Sequence, residues 1–393
     1  MLMVMKSLLA CITAMAAGTA ASAANPASFR WLELPPQYES YASALSPDGS
    51  VIMGEMWGPA GVPEIFRWTA KEGLIRQADI PAWGGYAWPT AMSFDGSVVV
   101  GYDTYPALSD GHAFQGTSTT GRTYLDDPPQ VAQSEAWGMS WDGASIVGYE
   151  MLADGSQQPA LWRNGNTVAL GSMDGIRGAF TGISCTGTLV GFSYSSSGAV
   201  PFRYSEQEGL MPVDLPASVH FDSGPRISAD GSTIVGCWRT ATGANEAFIW
   251  NQHTGATGLG DLPGGADWSA ASGVSADGRI VVGASMTGTI DLGDGFTMGI
   301  TTAFIWDPAH GMRSLPSVLV EQYGLNLQGW ELREATAISA DGRIIRGYGI
   351  NPEGRQGTWI AQIPEPATLL PMAMIFTLLH RLRRSTPVKP PSQ

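Results

Sequence analysis

The sequence predicts an all-β fold, a seven-bladed β-propeller with four strands in each blade, and three observations lead to this prediction. Glycine accounts for 50 of the 393 residues, while only 14% of the residues are charged. One short motif recurs seven times at a nearly constant spacing. The last repeat ends one strand early, and a segment that matches the missing strand precedes the first repeat. Turn-rich composition with regular repetition is typical of propellers.

The repeated motif is the tetrad Ser-x-Asp-Gly. Asp-Gly is a strong hairpin signal, because Gly tolerates positive φ and the Asp side chain bonds to its own backbone. We predict structural turn residues at six places: Asp48-Gly49, Asp95-Gly96, Asp142-Gly143, Asp230-Gly231, Asp277-Gly278 and Asp341-Gly342. A degenerate seventh copy reads Ser184-Cys185-Thr186-Gly187. Successive tetrads begin 44 to 47 residues apart, except that the last two are 64 apart.

Each repeat contains four candidate strands in order. Small apolar residues precede the tetrad, as in Ala335–Ile338, and a β-branched segment such as Ile280–Val282 follows it. The third strand is aromatic, as in Phe304–Trp306, and alternation places its two aromatic rings on one face. We expect the fourth strand to end in an apolar residue that often precedes proline, as in Leu262-Pro263, because proline suits an edge strand.

The two ends of the repeat region predict how the ring closes. The seventh repeat runs from Ala335 to Ile360 and stops after its third strand, whereas Arg30–Pro35 matches the fourth-strand pattern. Pairing them would remove an open sheet edge that could otherwise promote aggregation. A β-solenoid or an open array is the alternative. Two insertions occur in the last wide gap: a loop at 284–301, and 316–330, where we expect one short helix.

Residues 1–23 have the layout of a secretory signal peptide. Lys6 precedes an apolar stretch, and Ala21-Ser22-Ala23 forms a small-x-small cleavage site, so we expect cleavage after Ala23. A buried N-terminal helix is the alternative. The other end carries the motif Pro364, Glu365 and Pro366, an apolar run at 367–379, and then the basic residues Arg381, Arg383 and Arg384.

This C-terminal pattern resembles the PEP-CTERM sorting signal. The resemblance implies a transmembrane segment within 364–384 and a short cytoplasmic tail at 385–393, with arginines placed as the positive-inside rule expects. It further implies export through the Sec translocon and recognition by an exosortase in the inner membrane of a Gram-negative bacterium. The mature body, 24–363, would then be at the cell surface or extracellular after release from a membrane-anchored precursor. A hydrophobic helix that packs on the body is the alternative.

The repeats themselves resemble the HAF repeat family of exported bacterial proteins. The matching segments are His112-Ala113-Phe114 and the Ala-Phe-Ile-Trp copies at 247–250 and 303–306. The resemblance covers the chain from about Arg30 to Ile363. It implies a repeat architecture and export, and it implies no particular activity.

Charge and cysteine content restrict the function further. The chain carries a formal charge of −14, and the body without the two terminal signals has 16 basic and 34 acidic residues. Such an acidic body repels phosphate backbones, so nucleic acid is a poor partner. Two cysteines remain in the body, Cys185 and Cys237, and they either pair after export or stay as buried thiols.

No residue pattern marks a catalytic, cofactor or metal site. Arg67, Arg163 and Arg203 occupy nearly equivalent repeat positions and are expected to face solvent or acidic neighbours rather than converge. The acidic loop at 291–295 lacks the further oxygen ligands that calcium requires. We therefore predict a non-enzymatic envelope or extracellular propeller that binds or scaffolds exopolysaccharide in a biofilm matrix.

Two alternatives remain open from the sequence: an extracellular glycan-processing enzyme on a propeller scaffold, and a structural shell component. The arrangement of side chains at the ends of the central channel distinguishes them. Three or more carboxylates or aromatic rings gathered in one channel mouth would favour ligand handling, whereas scattered polar residues would favour a scaffold.

Overall fold

The computed structural model describes residues 26–364, except for 36, 62, 77–86, 104–110, 118–119, 126, 169, 171–176, 196–197, 216–223 and 294–295. The predicted signal peptide, most of the sorting motif with its arginines, and the predicted tail lie outside the described residues. Within the described residues, no helix has both the length and the apolar character needed to cross a membrane.

The described chain forms seven antiparallel sheets of four strands each, which confirms the predicted propeller. Blade 1 contains β2 (Glu39–Leu45), β3 (Val51–Trp57), β4 (Pro63–Thr69) and β5 (Gly73–Arg76). Blade 2 contains β6 (Ala87–Met92), β7 (Val98–Asp103), β8 (Ala113–Thr117) and β9 (Gly121–Tyr124). Blade 3 contains β10 (Val131–Met139), β11 (Ser145–Leu152), β12 (Gln157–Arg163) and β13 (Asn166–Thr167).

The remaining blades follow the same order. Blade 4 contains β14 (Gly178–Ile183), β15 (Leu189–Ser195), β16 (Gly198–Ser205) and β17 (Gly209–Pro212). Blade 5 contains β18 (Arg226–Ile227), β19 (Thr233–Arg239), β20 (Asn245–Asn251) and β21 (Gly255–Gly258). Blade 6 contains β22 (Ser269–Val274), β23 (Val281–Gly293), β24 (Phe296–Asp307) and β25 (Gly311–Ser314). Blade 7 contains β26 (Glu331–Ile338), β27 (Ile344–Ile350), β28 (Gln356–Gln362) and β1 (Ser28–Trp31).

The first strand of every blade lies at the centre of the ring. Each of these strands contacts the first strand of the next blade, and β26 contacts β2, so the seven strands surround a central channel. The solenoid and open-array alternatives are therefore wrong. Since the first strand runs toward the tetrad and the second runs away from it, all tetrads lie at one end of the channel.

The N-terminal segment closes the ring as predicted, although the strand is shifted from the predicted range. β1 pairs antiparallel with β28, with Ser28 opposite Gln362 and Trp31 opposite Trp359. The strand ends at Trp31 instead of Pro35, and Leu32 still donates its backbone N–H to the Thr358 carbonyl at 2.9 Å. Leu32 is then buried in the core of blade 1.

A glycine five residues after the tetrad glycine recurs because the first strand carries a β-bulge opposite it. Six blades show a register shift between the first and second strands three residues before the tetrad serine. The bulge places a backbone carbonyl of the first strand against the Cα of this glycine on the second strand. A Cβ on Gly283 would overlap the Ala270 carbonyl oxygen and lie 2.7 Å from Cε1 of Phe304. Any side chain there would force the blade apart.

The two insertions differ in structure. The predicted loop at 284–301 is mostly strand, because β23 and β24 continue past their neighbours and pair as far as Gly293 opposite Phe296. The second insertion begins with a short helix, α1 (Leu315–Ser317), and a π-helical turn, Val318–Gln322, which agrees with the predicted helix. Leu262 lies beyond the fourth strand of blade 5 rather than at its end, because β21 ends at Gly258.

Candidate functional site: the mouth of the central channel

The six complete tetrads form hairpin turns with one recurring set of hydrogen bonds. In blade 6, Ser275 Oγ donates to Asp277 Oδ1 at 2.7 Å and accepts from the Ile280 N–H at 3.0 Å. Gly278 has φ +71°, and the five other tetrad glycines also have positive φ. In the degenerate copy, Ser184 Oγ lies 2.8 Å from Thr186 Oγ1, so a hydroxyl replaces the carboxylate. The tetrad residues are therefore turn residues.

The second residues of the tetrads form a ring that we call the channel floor. Its members are Pro47, Phe94, Trp141, Cys185, Ala229, Ala276 and Ala340. Backbone hydrogen bonds link neighbouring turns, for example Ala340 N–H to the Pro47 carbonyl at 2.7 Å and Phe94 N–H to the Trp141 carbonyl at 2.8 Å. The Phe94 and Trp141 rings lie 5.0 Å apart, and the smaller side chains pack together beside Trp141. Apolar side chains therefore cover this end of the channel.

The opposite end is lined by pairs of residues that face each other across the first and second strands. Residues directly opposite in an antiparallel pair share a face, and these pairs lie beyond the bulge, away from the tetrads. Four consecutive blades, 7, 1, 2 and 3, contribute pairs of carboxylates and aromatic rings. The pairs are Glu334 with Tyr348, Tyr41 with Glu55, Trp88 with Tyr102, and Glu135 with Tyr149. We call these eight residues the channel mouth.

The other side of the ring is different. Ala179 faces Phe192 in blade 4, and Ala270 faces Ala284 in blade 6. The mouth is therefore walled by large side chains on one side and by mostly small ones on the other.

Aromatic contacts join large side chains of the mouth in groups, within one blade or between neighbouring blades. Tyr41 lies 6.0 Å from Tyr348, and Trp88 lies 6.5 Å from Tyr102 in a stacked arrangement. Tyr149 lies 5.2 Å from Trp137, whose indole stacks on Phe192. Tyr41 is 42% exposed although it sits on a central strand, so solvent reaches the channel from this end.

The three carboxylates of the mouth differ in their partners. Glu135 accepts from Trp137 Nε1 at 2.8 Å, and Glu334 accepts from Ser272 Oγ at 2.9 Å. Glu55 is only 2% exposed, and neither carboxylate oxygen has a hydrogen-bond partner among the described residues. Burial raises the pKa of Glu55 to about 8. Burial also raises the pKa of Glu334.

Two arginines next to the channel satisfy backbone carbonyls at the bulges. Arg346 donates to the Ser43 carbonyl and to Thr336 Oγ1, each at 2.7 Å, and also to the Ala42 carbonyl. Arg226 donates to the Thr181 carbonyl of the preceding blade at 3.2 Å. Burial lowers the pKa of Arg346 to about 10. Both cations therefore help to hold neighbouring blades together.

The other residues considered from the sequence lie elsewhere. Arg67, Arg163 and Arg203 form ion pairs with Glu72, Glu206 and Glu208, respectively, and do not converge on the channel mouth. Cys237 is a buried thiol near the Trp238 carbonyl, so Cys185 and Cys237 do not bridge each other. His112 Nδ1 lies 3.2 Å from Asp127 Oδ2 and is not in the mouth.

Two further features bear on ligand sites. At the tip of the long hairpin, Asp291 Oδ1 accepts a hydrogen bond from the Gly293 N–H. Among the described residues, no group of three His, Cys, Asp or Glu side chains could hold a metal ion. A cleft of about 420 Å³ opens at the seam between blades 7 and 1, between Arg30 and Lys71. It lies at the tetrad end, on the opposite side of the ring from the mouth.

No protein-family model matches the sequence, and no curated protein matches it. Among solved structures, an oligogalacturonate lyase in complex with manganese is similar with a TM-score of 0.55 and 11% identity, over 87% of this chain and 98% of that one. The β-propeller domain of the trilobed protease from Pyrococcus furiosus gives 0.50 and 10%, over 85% and 100%. TolB from Acinetobacter baumannii gives 0.46 and 16%, and the chain spans 62% of its length, using 67% of its own. At these identities the similarity is one of fold, and the chain is a β-propeller.

Proposed function

We propose that this protein is an exported, non-enzymatic propeller that binds glycans of the extracellular or envelope matrix in its channel mouth. The observation that carries the proposal is the one-sided gathering of three carboxylates and five aromatic rings on blades 7, 1, 2 and 3. A scaffold needs no such gathering.

The chemistry of the mouth suits a sugar. Aromatic faces can pack on the C–H faces of a pyranose ring, while carboxylate oxygens accept hydrogen bonds from its hydroxyl groups. Ligand sites commonly combine such an apolar wall with a few polar groups that fix orientation. The resemblance of the chain ends to export and sorting signals supports an extracellular ligand, with Sec and exosortase as partners during export.

The test is a glycan array with the full chain, followed by affinity measurements on the best ligand. We expect Trp88→Ala to weaken binding at least tenfold. Trp68→Ala is the matched control, because it removes a half-buried tryptophan of blade 1 at the tetrad end. Equal loss in both variants, or no glycan bound by the folded protein, would contradict the proposal.

A second candidate function is glycan cleavage, and Glu55 is the observation that favours it. A carboxyl with a pKa of about 8 stays protonated at neutral pH and can act as a general acid. The fold shared with an oligogalacturonate lyase is compatible with this function. The test is release of shorter oligosaccharides from the bound glycan. Cleavage by the wild type that is lost in Glu55→Gln with retained binding would establish the enzyme.

A further inference from the structure

We propose that the channel mouth selects glycans with free amino groups, and that the Glu55 carboxyl binds the ligand's ammonium. This inference rests on the proposed function and names the ligand class. It starts from the difference between Glu55 and the two other carboxylates of the mouth.

Among the three carboxylates of the mouth, Glu55 is the one whose oxygens have no hydrogen-bond partner among the described residues. Glu135 and Glu334 have partners on their own or the neighbouring blade, whereas both oxygens of Glu55 lack one among the described residues. A buried carboxyl without a partner is costly, so a ligand donor is the natural complement. Its backbone position opposite Tyr41 directs it to the same face as an exposed ring of the mouth.

The surroundings of Glu55 are aromatic. Its charge acts on both Tyr41 and Tyr102, which places the carboxyl near these two phenols of adjacent blades. An ammonium group brings three donors and is attracted by aromatic faces, so it can use the carboxyl and the rings together. A neutral hydroxyl group would use only the hydrogen bond.

The charge of the site argues against an acidic sugar. The two buried arginines donate to backbone carbonyls at the bulges, and their charges also act on Tyr41. The less buried carboxylates of the mouth are Glu135 and Glu334. The chain as a whole carries −14, which repels polyanions at long range. A uronic acid would therefore meet like charge on approach to the protein.

Binding need not bury a new net charge. With a pKa of about 8, Glu55 is mostly the neutral acid at pH 7, and a sugar amine can enter as the free base. The carboxyl O–H bond then breaks, the amine gains that proton as a new N–H bond, and a charge-assisted pair remains. The number of protons in the complex is unchanged by this step.

The experiment is calorimetric titration of the full chain with three tetrasaccharides: glucosamine, N-acetylglucosamine and galacturonate oligomers. We expect the glucosamine oligomer to bind at least tenfold more tightly than its acetylated counterpart, and the galacturonate oligomer to bind weakest. In Glu55→Gln the preference for the free amine should fall to within about twofold. Glu150→Gln is the matched control, since Glu150 is equally buried but already bonded to Gln158 and Thr167.

The outcomes separate this inference from the proposed function. If the acetylated and free oligomers bind equally, or if Glu55→Gln keeps the preference, amine selection is wrong while glycan binding stands. If none of the three and no other glycan binds, the proposed function itself fails. The comparison of ligands on the wild type decides the question even if the variant does not fold.

Discussion

The two ends of the central channel are built from the same repeat and yet differ completely in regularity. At the floor, each blade contributes a tetrad turn, and backbone hydrogen bonds link neighbouring turns at six of the seven seams between blades. At the mouth, the equivalent positions carry carboxylates and aromatic rings on four blades, but Ala270 and Ala284 in blade 6. The repeated tetrad turns hold the ring together. The mouth positions differ from blade to blade, so a ligand site can form there without disturbing the ring.

We expect the largest effect on stability from a substitution at one of the glycines that recur opposite the bulges. In Gly283→Val, the new side chain would overlap the Ala270 carbonyl and crowd Phe304, and neither can move without opening the blade. We expect a loss of about 4 kcal/mol or more in the free energy of unfolding, measured by chemical denaturation. Gly288→Ala in the same strand is the control, because its nearest neighbour would be 3.7 Å away. Similar stability of the two variants would contradict the close-approach argument.

The next effect belongs to the mouth and depends on pH. Because the folded-state pKa of Glu55 is raised to about 8, the folded protein keeps a proton that the unfolded chain loses above about pH 4.5. The free energy of unfolding should therefore fall as pH rises, by about 3 kcal/mol at pH 7 and about 5 kcal/mol above pH 8. Glu55→Gln removes this cost.

Thermal unfolding of both proteins between pH 5 and pH 9 measures that contribution. The stability of Glu55→Gln relative to the wild type should increase with pH. The pH dependence that remains in the variant measures the contribution of the other buried carboxyl groups. A constant difference in Tm across the range would show that Glu55 titrates normally.

A smaller effect concerns the tetrad turns. Gly278 has φ +71°, and a Cβ there would lie 2.7 Å from the Thr233 Cβ of the preceding blade. We expect Gly278→Val to lower the free energy of unfolding by roughly 1–3 kcal/mol. Gly255→Val has the same φ but open space around it, so it isolates the backbone strain. Gly278→Val should be the more destabilising of the two, and the reverse order would contradict packing between adjacent turns.

The smallest expected effect on stability comes from Tyr41→Ala, because this side chain is 42% exposed. We expect a change within about 1 kcal/mol in the free energy of unfolding and at least a fivefold loss of glycan affinity. Calorimetry and denaturation on the same preparation provide both values. A large loss of stability would instead make Tyr41 part of the regular framework.

The fold could be predicted because its signals are local. The Asp-Gly turns, the aromatic third strand and the orphan N-terminal segment each follow from short-range rules, and the ring follows from their repetition. The insertion at 284–301 was predicted as a loop. The two strands of this insertion are stabilised by hydrogen bonds to each other. The residue pattern of one strand alone does not reveal that pairing.

The mouth could not be predicted because it depends on the register of two strands. Simple counting from the tetrad of blade 1 would place Ala42 opposite Glu55, whereas the bulge at Ser43 places Tyr41 there. Moving a register by one residue exchanges the faces of a strand. The absence of partners for Glu55 is likewise a property of the packed blades. Comparing equivalent positions on both sides of the tetrads would have shown the acidic and aromatic bias.

The closing strand also gives the propeller a direction. Ser28 lies opposite Gln362, and Ile363 donates to the Arg343 carbonyl beside the last tetrad turn, so the chain enters and leaves the ring side by side at the floor. An attachment made directly at either of these strand ends would hold the molecule by its covered side. The mouth would then lie on the opposite side, away from the point of attachment.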